Sequence, residues 1–219
     1  MPVSAKDFVE SELPREHQTK FPPALEIAYA AVEALYKNEP LFSVTSAIYG
    51  KGHVVAWAVD LQIERLVKAG QLPYDYRWVS FEKPTGRFLQ LRLSASTLSV
   101  SQLQHKTSLP RPADFRHNRI LNNNLWLDLP EFEDERRISG LPHLILTHGY
   151  QTLSFAHVGL LNRLGSRLVW TYRTPNLMGL PRVVAPDLPP PEGIDIEIEV
   201  SVRELKEEIN RYVRDQTDE

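Results

Sequence analysis

His143, His148 and His157 lie close together in the sequence, with Asp128 and Glu131 upstream, and these are residue types that ligate zinc. A zinc site also needs its ligands to converge. In the apolar run HLILTH, alternation groups His148 with Leu144 and Leu146 and turns His143 to the other face, so these two histidines diverge. His148 and His157 remain able to meet across a hairpin. The plainer expectation is that histidines at strand ends make ordinary hydrogen bonds, with no metal and no other cofactor. Asp75, Glu82 and Lys83 have the residue types of a metal-dependent hydrolase or nuclease. Glu82 and Lys83 are adjacent, however, and adjacent strand residues point to opposite faces. His148-Gly149 follows an apolar run, as a step supplying oxyanion donors would, but no Gly-x-Ser-x-Gly nucleophile elbow occurs. Gly50-Lys51-Gly52 lacks the glycine and Lys-Ser/Thr spacing of a phosphate loop. The chain has no cysteine, which excludes disulfides, thiolate metal sites and a cysteine nucleophile together. No catalytic residue is assigned, and the leading expectation is a protein without enzymatic activity.

Basic side chains are the other source of chemistry. A net charge of -3 over 219 residues gives no general attraction to nucleic acid or to an anionic membrane, so such binding needs a local patch. The most basic window is 105–119, HKTSLPRPADFRHNR, where Lys106, Arg111, Arg116 and Arg119 accompany Phe115. Charge beside a stacking ring suits a single-stranded nucleic acid. A solvated linker whose arginines pair with Glu131, Glu133 and Asp134 accounts for the same residues. Lys51, Lys68, Lys83 and Arg87 are further candidate phosphate contacts. Hydrophobic (42%) and charged (24%) fractions are those of a folded globular protein. The N-terminal MPVSAKDFVESELPREHQTKFPP carries charge throughout, so no secretory signal is expected, and no apolar run approaches the roughly 20 residues of a membrane span. A cytoplasmic location follows as the expectation.

The elements that must position these residues begin after a polar arm, 1–23, with a short helix at 5–10. Pro23 suits a first helical turn, and Leu25, Ala28, Val32 and Leu35 recur at three- and four-residue steps over a helix 24–37. Pro40 ends it. Residues 43–49 read as a short helix, Gly50–Gly52 as a break, and 53–69 as a long helix stopped by Gly70. Val55, Ala58, Val59, Ile63, Leu66 and Val67 share its broad apolar face. Trp57 and Leu61 lie opposite, among Asp60, Glu64 and Lys68, and are candidates for binding a partner. RWVSFE and RFLQLRLS, joined by Lys83-Pro84-Thr85-Gly86, read as a hairpin over 77–94, which 95–104 either extends or flanks as an edge strand. Strands follow at 143–148, 153–160 and 167–172, then a proline-rich stretch, an alternating strand 194–202 and a terminal helix 203–215.

The order helix, short helix, long helix, strand, turn, strand over 24–94 resembles a winged-helix domain, and Glu64–Gln71 (ERLVKAGQ), Lys83, Gly86 and Arg87 carry the likeness. The resemblance implies a long helix in the major groove, with Lys83 and Arg87 at phosphate or the minor groove. Asp60 and Glu64 would oppose phosphate from that same helix. The expected fold is α+β: a helical, winged-helix-like N-terminal half packed on a β-rich, largely antiparallel C-terminal half closed by a terminal helix. The division expected is an arm 1–23, a helical region with hairpin 24–104, a basic linker 105–119 and a β-rich region 120–219, the last three forming one domain or two. The expected function is a regulatory or interaction protein, with DNA or another protein as partner. The alternatives are a metal-dependent hydrolase or nuclease, and a scaffold subunit of a larger assembly.

Overall fold

A computed structural model describes residues 4–80, 86–110, 120, 123, 140–164, 167–180, 203–208 and 211. The class is α+β, with helices in the N-terminal half and a six-stranded sheet behind them. Ser4 caps α1 (Ala5–Glu12), its hydroxyl accepting from the Asp7 N–H. α2 (Arg15–Gln18) follows, and together they bring Val9 and Leu13 into the core from a stretch that reads as a polar arm. Buried Glu12 accepts from the Ala95 N–H at 2.8 Å and the Ser96 hydroxyl at 2.7 Å, which fastens α1 to a turn between strands. α3 (Phe21–Asn38) starts on Pro22 and Pro23 and buries Leu25, Ala28, Val32 and Leu35 as their spacing predicts.

A 3-10 turn (Pro40–Ser43) leads into α4 (Thr45–Lys68), a single helix. The expected break at Gly50–Gly52 is absent. Glycine weakens a helix by roughly 1 kcal/mol relative to alanine, but the apolar stripe Val54, Val55, Ala58, Val59 and Ile63 packs against α3 and the sheet. That burial supplies roughly 1.5–3 kcal/mol per large side chain. Gly52 also has a packing role. A Cβ there would meet the Tyr150 ring at 2.6 Å, and its carbonyl accepts from Gln102 Nε2 at 2.9 Å. Gly70, at φ +68°, ends the helix in the left-handed conformation expected of it.

The sheet runs β1 (Asp75–Ser80), β2 (Arg87–Arg92), β3 (Thr97–Leu103), β4 (His143–Gly149), β5 (Ala156–Leu164), β6 (Arg167–Arg173) in chain order. All neighbours are antiparallel except β3 and β4. A parallel pair needs a crossover of a dozen or more residues, which 104–142 provides. Leu89, Leu91, Leu98, Leu144, Leu146, Val158 and Leu160 face the helices. On the other face, Ile120 from the crossover packs on Ile145 and Leu161. Buried Asn123 grips two strands there: its side-chain oxygen accepts from the His143 N–H at 2.6 Å, and its NH2 donates to the His143 and Leu161 carbonyls. Residues 203–208 are helical and bury Leu205, while Lys206 pairs with Glu39 at 3.3 Å and Arg65 with Glu208. The strand expected at 194–202 lies outside the described residues.

Candidate functional site

The histidines divide between the two faces of the sheet. His143 is buried opposite the helices, with Nδ1 2.8 Å from the Thr97 hydroxyl and Nε2 2.9 Å from that of Ser99. His148 points the other way, into the helical core, as alternation predicts. Tyr29 donates its hydroxyl hydrogen to the Gly149 carbonyl, so His148 Nδ1–H donates to Tyr29 Oη at 2.6 Å. Burial pushes the His148 imidazole down to about 4 and the Tyr29 phenol up. The register Thr147↔His157 corrects the expectation that His148 and His157 meet: His157 shares a face with His143, not with His148. Among the described residues no three His, Asp or Glu side chains gather as a metal site would require. Asp75 opens β1, while Glu82, Lys83, Asp128 and Glu131 lie outside the described residues.

The candidate cations scatter. Lys51 pairs with Glu33 and lies 5.4 Å from the Tyr36 ring centroid. Lys68 pairs with Glu64 at 2.6 Å, about 25 Å further along α4. Burial pushes the Glu64 carboxyl up, but hydrogen bonds from Lys68, Tyr76 and Trp78 outweigh it and hold the group below its ordinary value. One turn earlier, burial and the Glu64 charge push Asp60 up to about 7. Arg87 opens β2, opposite Ser80 on β1. Lys83, Arg111, Arg116 and Arg119 lie outside the described residues.

Two surface features remain. The first is apolar. Leu41, Val44, Ile48, Tyr49 and Trp57 are all exposed, Tyr49 at 79% and Trp57 at 46%. Val44 and Ile48 stand one helical turn apart, and Tyr49, His53 and Trp57 occupy successive turns of α4. Trp57 is thus exposed, whereas Leu61 is partly buried against the core.

The second is a cleft of about 540 Å³ at the end of the sheet where β3 and β6 finish, with Lys106, His157, Arg173 and Asn176 in its lining. Arg173 Nη1 donates to the Lys106 carbonyl. His157 Nδ1–H donates to the Thr174 carbonyl at 2.9 Å. Burial, then Arg173 and Lys106, push its imidazole below the ordinary value against that bond. Of these residues Lys106 stands out in the sequence through its basic window and His157 through the histidine cluster. Arg173 sits far along the chain, and nothing local signals that β3 and β6 finish at the same end. No protein-family model matches the chain, and no curated protein or solved structure matches it significantly.

Proposed function

We propose that this chain is a non-enzymatic interaction protein that docks a protein partner on the outward face of α4 and the 3-10 turn before it. The observation that carries this reading is the concentration of exposed large apolar side chains between Leu41 and Trp57. Scattered exposed apolar residues are ordinary, but Tyr49 and Trp57 share one stripe of α4 with His53 between them, and neighbouring exposed aromatic side chains suit a surface that meets a partner. Tyrosine and tryptophan dominate the binding energy of interfaces because they bury large rigid surfaces with few rotors. The Lys51–Glu33 pair supplies a polar margin beside these residues.

A nucleic-acid partner draws less support. Lys51 and Lys68 already pair with Glu33 and Glu64, which offsets the charge they would offer to phosphate. A DNA titration at low salt, where phosphate contacts are strongest, tests that version: absence of binding ends it. The docking reading is tested by affinity capture from a cell extract with the intact chain and with the double variant Tyr49→Ser/Trp57→Ser. A partner retained by the wild type and lost by the variant is the expected result. The same partners captured by both chains, or none by either, would refute it.

A further inference from the structure

We infer that the cleft between the ends of β3 and β6 binds the phosphate group of a small phosphorylated molecule, gripped by Lys106 and Arg173. This site is separate from the α4 surface and stands whether or not that surface docks a protein. Its volume, about 540 Å³, falls within the roughly 300–1,000 Å³ of small-molecule sites.

The cationic side of the cleft is assembled in advance. Arg173 is held by its bond to the Lys106 carbonyl and lies 5.8 Å from the Trp170 ring centroid. A guanidinium fixed from two sides loses little freedom when it grips an anion. The same bond brings two positive residues together, and like charges held close destabilise a fold unless a counter-charge meets them. None of the described residues lining the cleft is acidic, and neither Lys106 nor Arg173 pairs with a described carboxylate.

The neutral groups of the cleft add one acceptor and one donor. Because His157 Nδ1 donates to Thr174, its Nε2 is the remaining hydrogen-bonding atom of the ring. That atom is buried without a partner. With the ring neutral and Nδ1–H donated to Thr174, Nε2 is an acceptor, so what would complete it is a hydroxyl on the organic part of the bound molecule and not a phosphate oxygen. Asn176 uses its side-chain oxygen to accept from the Ala156 and Met178 N–H groups, which leaves its NH2 as a further donor.

Charge decides the class of anion. A phosphate monoester carries close to two negative charges at neutral pH, matching two cations, where a carboxylate carries one. A polyanion would need the basic surface to continue. Among the described candidates, Lys51 and Lys68 are paired and Arg87 lies near the opposite edge of the sheet, so a small ligand fits better than a nucleic acid.

Isothermal titration calorimetry with inorganic phosphate, and then with a nucleoside 5′-monophosphate, tests the proposal. Saturable binding to one site is expected for both, displaced by sulfate and not by acetate. Lys106→Met and Arg173→Met should each weaken binding at least about tenfold, and Arg87→Met should leave it unchanged. Arg173→Met also removes the bond to the Lys106 carbonyl, so Lys106→Met, which keeps every described hydrogen bond, is the decisive variant. The His157 ring signals in an NMR spectrum should move as phosphate is added to the wild type. No saturable binding of either probe, or equal binding by wild type and Lys106→Met, would overturn the proposal. So would stronger binding of a single-stranded oligonucleotide that Arg87→Met also weakens, because that result assigns the charge to a polyanion surface.

Discussion

Tyr29 and His148 meet deep between α3 and β4, and their bond has consequences that a titration can read. The ordinary imidazole value is 6.5, and burial brings His148 down to about 4 in the folded state. Its contribution to stability is therefore complete above about pH 6.5 and is lost as pH falls toward 4. NMR should find this ring neutral throughout pH 7 to 5; a midpoint near 6.5 would contradict the burial. Tyr29→Phe leaves His148 Nδ1–H and the Gly149 carbonyl without their partner and should lower stability by about 1–3 kcal/mol in urea denaturation. Asp60 acts with the opposite sign. Its carboxyl is raised from 3.8 to about 7, so its ionisation opposes folding increasingly as pH rises from 3.8 through 7. Asp60→Asn should stabilise the protein by about 1–2 kcal/mol at pH 8 and by almost nothing at pH 4. It should also expose the acid-side loss from His148, which Asp60 partly cancels in the wild type. Alternation made the divergence of His143 and His148 legible. The side taken by His157 was not, because it depends on which residue of β4 it pairs with.

At the scale of elements, α4 separates what a local pattern encodes from what packing imposes. Its apolar stripe and its end at Gly70 are both written in the sequence. Its start is not, since Gly50 and Gly52 look alike as helix breakers. The structure distinguishes them: nothing lies near a Cβ added at Gly50, whereas one at Gly52 meets Tyr150. Gly50→Ala should accordingly raise stability by about 0.5–1 kcal/mol, the ordinary helix gain. Gly52→Ala should show no such gain, because the Tyr150 ring must move. Thermal melts of the two variants side by side check this; equal gains would mean that the Tyr150 contact imposes no constraint. The hairpin β1–β2 has the period-two pattern that predicts it, displaced at its start by two residues. Residues 1–23 read as polar because α1 is short and surrounds buried Val9 with charged residues, while buried Leu13 follows just past its end.

For the whole molecule, one sheet with helices on one face and Ile120 and Asn123 packed on the other places the two surface features on different elements. The α4 patch belongs to an interface and the cleft to a ligand, so their variants should not interfere. Tyr49→Ser/Trp57→Ser should abolish partner capture while phosphate affinity stays within about twofold, and Lys106→Met should do the reverse. Calorimetry and capture on both variants check this separation, since the substituted residues share no described contact. Loss of both properties in either variant would tie the two surfaces together.

The sequence by itself determined the α+β class and the amphipathic stripes of α3 and α4. Each follows from residue periodicity within one element, which needs no information from elsewhere in the chain. Only the tertiary structure decided that β3 pairs in parallel with β4, that His157 turns away from His148, and that Lys106 meets Arg173. Those outcomes depend on strand register and on a long crossover. Contacts between residues far apart in the chain leave no periodic trace near either partner.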